Sequence, residues 1–190
     1  MKRLPLLPTL FVAAAVAAMI GLGIWQLQRL HWKQGLLDRY AAAQGLPPIA
    51  YPATPDPKNP PLFRRASAFC AGVTGWRAES GRNRTDEAGW VHIASCRTDT
   101  EGPGLQAVMG WSPSPANPDW AGGPVSGLIT SDRMHVIRLV ASDPAPGLQA
   151  AKPPSLDEVP NNHLFYAFQW FFFAGAAVVI YLLALRRRSR

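Results

Sequence analysis

The chain has 190 residues, 48% of them hydrophobic, with 19 Lys and Arg against 12 Asp and Glu for a formal net charge of +7. Every acidic residue lies between Asp38 and Glu158, whereas Lys2-Arg3 and Arg186-Arg187-Arg188 with Arg190 make both ends purely basic, so about +6 belongs to the tails and about +1 to the middle. A nucleic-acid footprint needs a basic stripe within a folded domain, and the near-neutral middle excludes it.

The first apolar run extends from about Leu4 to Leu27 and is long enough to cross a bilayer as a helix. Residues 1–27 are expected to form an uncleaved anchor with a cytoplasmic N-terminus. A cleaved signal peptide is the alternative, but its apolar region spans roughly 7–15 residues, and here the run continues through Met19–Trp25. Ala13, Ala17 and Gly21 form a small-residue stripe that would let helix backbones approach closely, although such residues are also simply common in membrane spans. Residues 28–62 read as a helical extension and a linker. Ile24, Leu27, Leu30, Leu37 and Tyr40 keep roughly helical spacing, with Arg29, Lys33 and Arg39 as a cationic side. Gly45-Leu46-Pro47-Pro48 stops the helix, and the Pro-rich stretch 47–61 reads as an irregular linker.

Residues 63–162 form the third region, a small β-rich domain. Short runs at Phe69–Arg77, Trp90–Arg97, Leu105–Trp111, Val125–Thr130 and Met134–Val140 predict antiparallel strands separated by turn residues. Gly102-Pro103-Gly104 and Gly122-Gly123-Pro124 read as turns. Symmetric pairing about Asn83 would set Cys70 opposite Cys96 and Trp76 opposite Trp90, close enough for a disulfide. Two reduced core thiols are the other possibility. No CxxC or His/Cys ligand spacing occurs, so these cysteines are not expected to hold copper or zinc.

The second span covers 163–185, followed by a basic tail, 186–190. Four Arg after Leu185 place that end in the cytoplasm by the positive-inside bias. Two spans then put both termini in the cytoplasm and the middle outside it, as expected for a bacterial inner-membrane protein. The fold class is therefore α+β: two transmembrane helices flanking a small antiparallel β-rich extracytoplasmic domain.

Of the four histidines, His92 and His135 fall on predicted strands and read as structural. His31 follows the first span and His163 opens the second, capped by Asn161 or Asn162. His163, Tyr166, Trp170 and Ala174 share one helical face, and Gly21, Trp25, Arg29 and Trp32 or Lys33 do so on the first helix. Such a set could hold a flat amphipathic cofactor, with His on iron, aromatics stacking and Arg29 or Lys33 pairing propionates. The ordinary aromatic and cationic belts of membrane helices account for the same residues. No Ser/His/Asp set, carboxylate dyad or phosphate loop occurs, so no enzyme is expected.

Two stretches resemble the signatures of the surfeit locus protein 1 family of cytochrome c oxidase assembly factors. One is Gly23-x-Trp25-Gln26-x-x-Arg29-x-x-x-Lys33; the other is His163-Leu164-x-Tyr166-Ala167-x-x-Trp170-Phe171. Gly110-Trp111-Ser112-Pro113 is similar to a Gly-Trp-x-Pro segment of the family, with Met109 where the family commonly has Arg, and the Cys pair is not part of the pattern. The resemblance implies a non-enzymatic chaperone that binds haem a, with haem a synthase as a possible donor, and helps place it in oxidase subunit I. His163 would ligate the haem iron, and Trp25, Gln26, Arg29, Tyr166 and Trp170 would shape the pocket. His31 lies outside the motif. A structural oxidase-binding membrane subunit holding no haem is the alternative. A two-span ligand sensor would need a cytoplasmic output that Arg186–Arg190 is too short to provide.

Overall fold

The computed structural model describes residues 5–98 and 104–189. Lys2, Arg3 and Arg190, and Gly102-Pro103 of the expected turn, lie outside the described residues. The chain divides into two compact units, one of Met1–Leu37 with Val159–Arg190 and one of Asp38–Glu158.

The first unit pairs α1 (Leu6–Gln44), whose last residues from Asp38 on belong to the second unit, with α2 (His163–Ser189). Both are long and apolar enough to cross a membrane. At 1.5 Å per residue, α1 reaches about 58 Å and so exceeds a hydrocarbon core of about 30 Å. Pro5 and Pro8 sit at its start, where missing N–H groups cost least. It ends where Gly45 and Leu46 donate back to Ala42 and Ala43 and Pro47-Pro48 forbids a further turn. Asn162 precedes α2, its carbonyl accepting the Tyr166 N–H at 3.3 Å. Arg186, Arg187 and Arg188 in the last turn complement the helix dipole.

The facing sides of the helices differ from those the sequence pattern named. On α1 the less exposed positions include Thr9, Val12, Val16, Met19, Gly23 and Gln26, while Ala13, Ala17 and Gly21 are exposed. On α2 they include His163, Ala167, Trp170, Ala174, Ala177 and Tyr181, so Ala167 takes the place expected for Tyr166. The alternating four- and three-residue steps follow the seam of two packed helices.

The second unit is a seven-stranded sheet: β1 (Ile49–Ala50), β2 (Arg65–Cys70), β3 (Gly72–Arg82), β4 (Ala88–Arg97), β5 (Leu105–Ser112), β6 (Gly123–Asp132) and β7 (Val136–Ala141). Its order is β1-β2-β6-β7-β5-β4-β3. The sheet is mixed, not purely antiparallel as expected: β1 runs parallel to β2, and β5 parallel to β7. β1 arises within the stretch read as irregular linker. Gly123-Pro124 opens β6 instead of completing a turn, and His135 lies in the turn before β7.

Cys70 and Cys96 form a disulfide, with Cα atoms 5.2 Å apart. The expected hairpin register is not what brings them together. Cys70 ends β2, opposite Gly123 of β6, and Cys96 pairs with Val73. Trp90 faces Ser80, and Trp76 faces Ala94. Three strands separate β2 from β4 in the sheet order, which in a flat sheet would be about 19 Å. The sheet therefore curls until β2, running through Ala71 into β3, meets β4. The Ala71 N–H to Arg97 carbonyl bond of 2.9 Å marks the same closure.

Curling encloses one core and leaves a second outside. The inner cluster includes Ala66, Cys70, Ala94, Leu105, Met109, Ile129, Ile137 and Leu139; the outer one joins Ile93, Val108, Trp111, Val140 and Ala151. Met109 and Trp111, two apart on one strand, belong to opposite clusters because a bulge intervenes: His92 pairs with Gly110 but Ile93 with Val108. The bulge re-aims the strand and needs glycine, since Gly110 has φ +146° and a Cβ there would lie 2.7 Å from the Gln149 carbonyl. The segment around Gln149 covers the outer cluster, exchanging backbone bonds of 2.7 and 2.9 Å with Trp111.

Candidate functional site

The clearest polar meeting point within the helix pair joins the two terminal signatures. His163 Nδ1 lies 2.8 Å from Gln26 Oε1. A carbonyl oxygen only accepts, so Nδ1 carries the proton and donates it. In a neutral imidazole so held, Nε2 is the nitrogen with the lone pair, and here it has no hydrogen-bond partner among the described residues. Metal-ligating histidines characteristically show this arrangement, one ring nitrogen held by an acceptor and the other free to bind. The donor set therefore fits a haem iron held by one axial His.

The helix seam around this pair explains its placement. One turn before Gln26, Gly23 carries the ring of Phe171: a Cβ at Gly23 would meet Phe171 Cε1 at 2.6 Å. Glycine is what permits that approach. At the other end of the seam, Thr9 Oγ1 and Tyr181 Oη are 2.5 Å apart. Roughly 17 residues of each helix separate the two polar contacts, about 26 Å at helical rise. That length is close to the thickness of a hydrocarbon core.

The other expected site residues are arranged differently. Trp170 is half-buried on the α2 face that carries His163. Trp25 and Tyr166 are 53% and 48% exposed, and Tyr166 sets its ring edge-on to Phe165. The Arg29 guanidinium lies 4.0 Å above the Trp32 ring, a cation–π contact. His31 Nδ1 lies 2.8 Å from the Leu27 carbonyl of its own helix. The structure thus joins Gln26 to His163, keeps Trp170 on the same face, and turns Trp25 and Tyr166 outward. Sequence reasoning gave no role to Gly23 or Phe171, although both signatures contain them; a glycine on the seam face was the available signal.

The β domain has its own charged cluster, with no net excess of either sign. Arg77 pairs with Asp132 at 2.6 Å and with Glu79 at 3.0 Å, and Arg138 pairs with Glu79 at 2.8 Å. Burial pushes the Asp132 carboxyl up, but the N–H groups of Met134 and His135 and the Arg77 guanidinium outweigh it and hold Asp132 below the usual carboxylate range. Burial also raises the Tyr51 phenol to about 12, with its hydroxyl donating to the Ile137 carbonyl at 2.9 Å. Met109 is 3% exposed in the inner core, so this chain presents no surface cation at that position. No group of three or more His, Cys, Asp or Glu with metal-ligand placement occurs among the described residues.

A family model described as the SURF1 family matches residues 13–175. That range contains both terminal signatures and the entire β domain. No curated protein matches the chain.

Proposed function

This chain belongs to the SURF1 family, a family of cytochrome c oxidase assembly factors, and from that premise we propose that it carries haem a on His163 and aids its insertion into oxidase subunit I. The observation that carries the reading is the Gln26–His163 bond, which leaves Nε2 as the free ligating nitrogen. Haem a is the cargo. His163 would offer its iron one protein nitrogen, so that release would break a single iron–nitrogen bond, as suits a carrier. Trp170 lies on the same α2 face and can stack on the macrocycle. Trp25, Tyr166 and Arg29 act from the outer sides of the helices, where the first two offer aromatic surface and the third a cation for a propionate.

The basic tail after α2 supports an inner-membrane protein with both termini cytoplasmic and the β domain periplasmic. Haem a synthase is the proposed donor and subunit I the acceptor, both reached within the bilayer.

Complementation tests this reading. In cells lacking the chain, wild type should restore haem a content and oxidase activity, and stably inserted His163→Ala should not. Full restoration by His163→Ala would favour the structural oxidase-binding reading, in which the helices pack on subunit I and no haem is held.

A further inference from the structure

We propose that Gln26 is a positioning residue that holds His163 in the Nδ1–H tautomer, so that Nε2 meets the cargo iron with its lone pair. The inference rests on the reading of His163 as the iron ligand and adds a role for a residue on the other helix. The juxtaposition is direct: Oε1 and Nδ1 are 2.8 Å apart across the seam, from residues 137 apart in sequence.

The chemistry follows from the donor inventory. A neutral imidazole has one N–H and one lone pair, and its tautomer is set by what the first nitrogen meets. A free ring at a helix start can exchange tautomers or turn away. One held by an acceptor at Nδ1 presents Nε2 alone, and the hydrogen bond makes that nitrogen more basic. If the Gln26 amide turned its NH2 toward Nδ1, the proton would move to Nε2 and the ligating position would close.

Packing does not account for Gln26. The close approach of the helices is made by Gly23 and Phe171 one turn away. An apolar residue of similar volume at position 26 would keep the seam filled, since volume-conserving swaps are the best tolerated. Gln26→Leu should therefore fold and insert while losing the acceptor, and Gln26→Glu should keep it.

The experiment uses the full chain in detergent micelles with 15N-labelled histidine. His163 signals are assigned by their loss in His163→Ala. The expected wild-type spectrum shows a protonated Nδ1 and a bare Nε2. Gln26→Leu should shift the ring toward Nε2–H and weaken haem a binding 10–100-fold in titration, the usual consequence of removing such a partner. Gln26→Glu should preserve both the tautomer and the affinity. An Nε2–H ring in the wild type overturns the inference, as does a Gln26→Leu variant unchanged in tautomer and affinity. If His163→Ala binds haem a as tightly as wild type, the ligand assignment itself falls, and this inference with it. If His163→Ala loses binding while Gln26→Leu keeps it, only the role of Gln26 falls.

Discussion

His92 shows how one side chain ties the core of the β domain to pH. It is fully buried on β4, its Nε2 lies 2.9 Å from Ser112 Oγ, and the Ser112 hydroxyl donates to the Ser114 carbonyl at 2.6 Å. Nδ1 has no partner among the described residues. Burial holds the imidazole below its ordinary range, because charging it in place would sacrifice hydration without an acid to pair with. The unfolded chain therefore takes up a proton that the folded chain refuses. This contribution to stability is complete above about pH 6.5 and is lost as pH falls from there toward the folded value. Thermal melting of the full chain between neutral and mildly acid pH should show the decline, and His92→Gln should flatten that part of the slope. An identical slope in the variant would remove His92 as its cause. The sequence marked His92 as structural on its strand position alone. Its serine partner was not visible, because the bulge that brings Ser112 opposite Trp90 depends on a glycine conformation and on the segment laid over it.

Among the elements, the helices were the most legible, because two long runs without acidic residues have few other ways to satisfy their backbones. Their facing sides were less so. Steps of three and four residues are nearly equivalent on a helical wheel, and the choice between Tyr166 and Ala167 is made by how closely the partner approaches. Gly23 decides it, because the Phe171 ring occupies the space of its missing side chain. Gly23→Leu should separate the helices and lower the melting temperature of the pair, at a cost of roughly 1–3 kcal/mol for an overpacked contact. Adding Phe171→Ala should recover part of that loss. Differential scanning of the detergent-solubilised variants checks it, and a double variant no more stable than Gly23→Leu alone would show that the two residues do not share a contact. In the sheet, strand existence was readable from alternation and turn residues. The parallel pairing of β5 with β7 was not, because it joins residues far apart in sequence and no local signal specifies it.

At the scale of the whole molecule, the disulfide is the covalent record of the curled sheet. The sequence left a Cys70–Cys96 bridge open beside two reduced core thiols, and reached it through a hairpin register that does not form; the bridge is present, and its cause is closure of β2 and β3 against β4. A bridge across 26 residues stabilises by about 3–4 kcal/mol in the chain-entropy account. Cys70→Ser with Cys96→Ser should lower the denaturant midpoint accordingly, and reductant should do the same to wild type. A double variant with an unchanged midpoint would show that packing alone closes the sheet. The family match extends across the spans and the β domain together, and the proposed work of the molecule is concentrated where the two signatures meet. The visible absorption spectrum of the full chain, purified from cells that make haem a, tests that claim most directly. Wild type should carry a haem a band that weakens or shifts in His163→Ala; bands of equal height and position in the two proteins would contradict it.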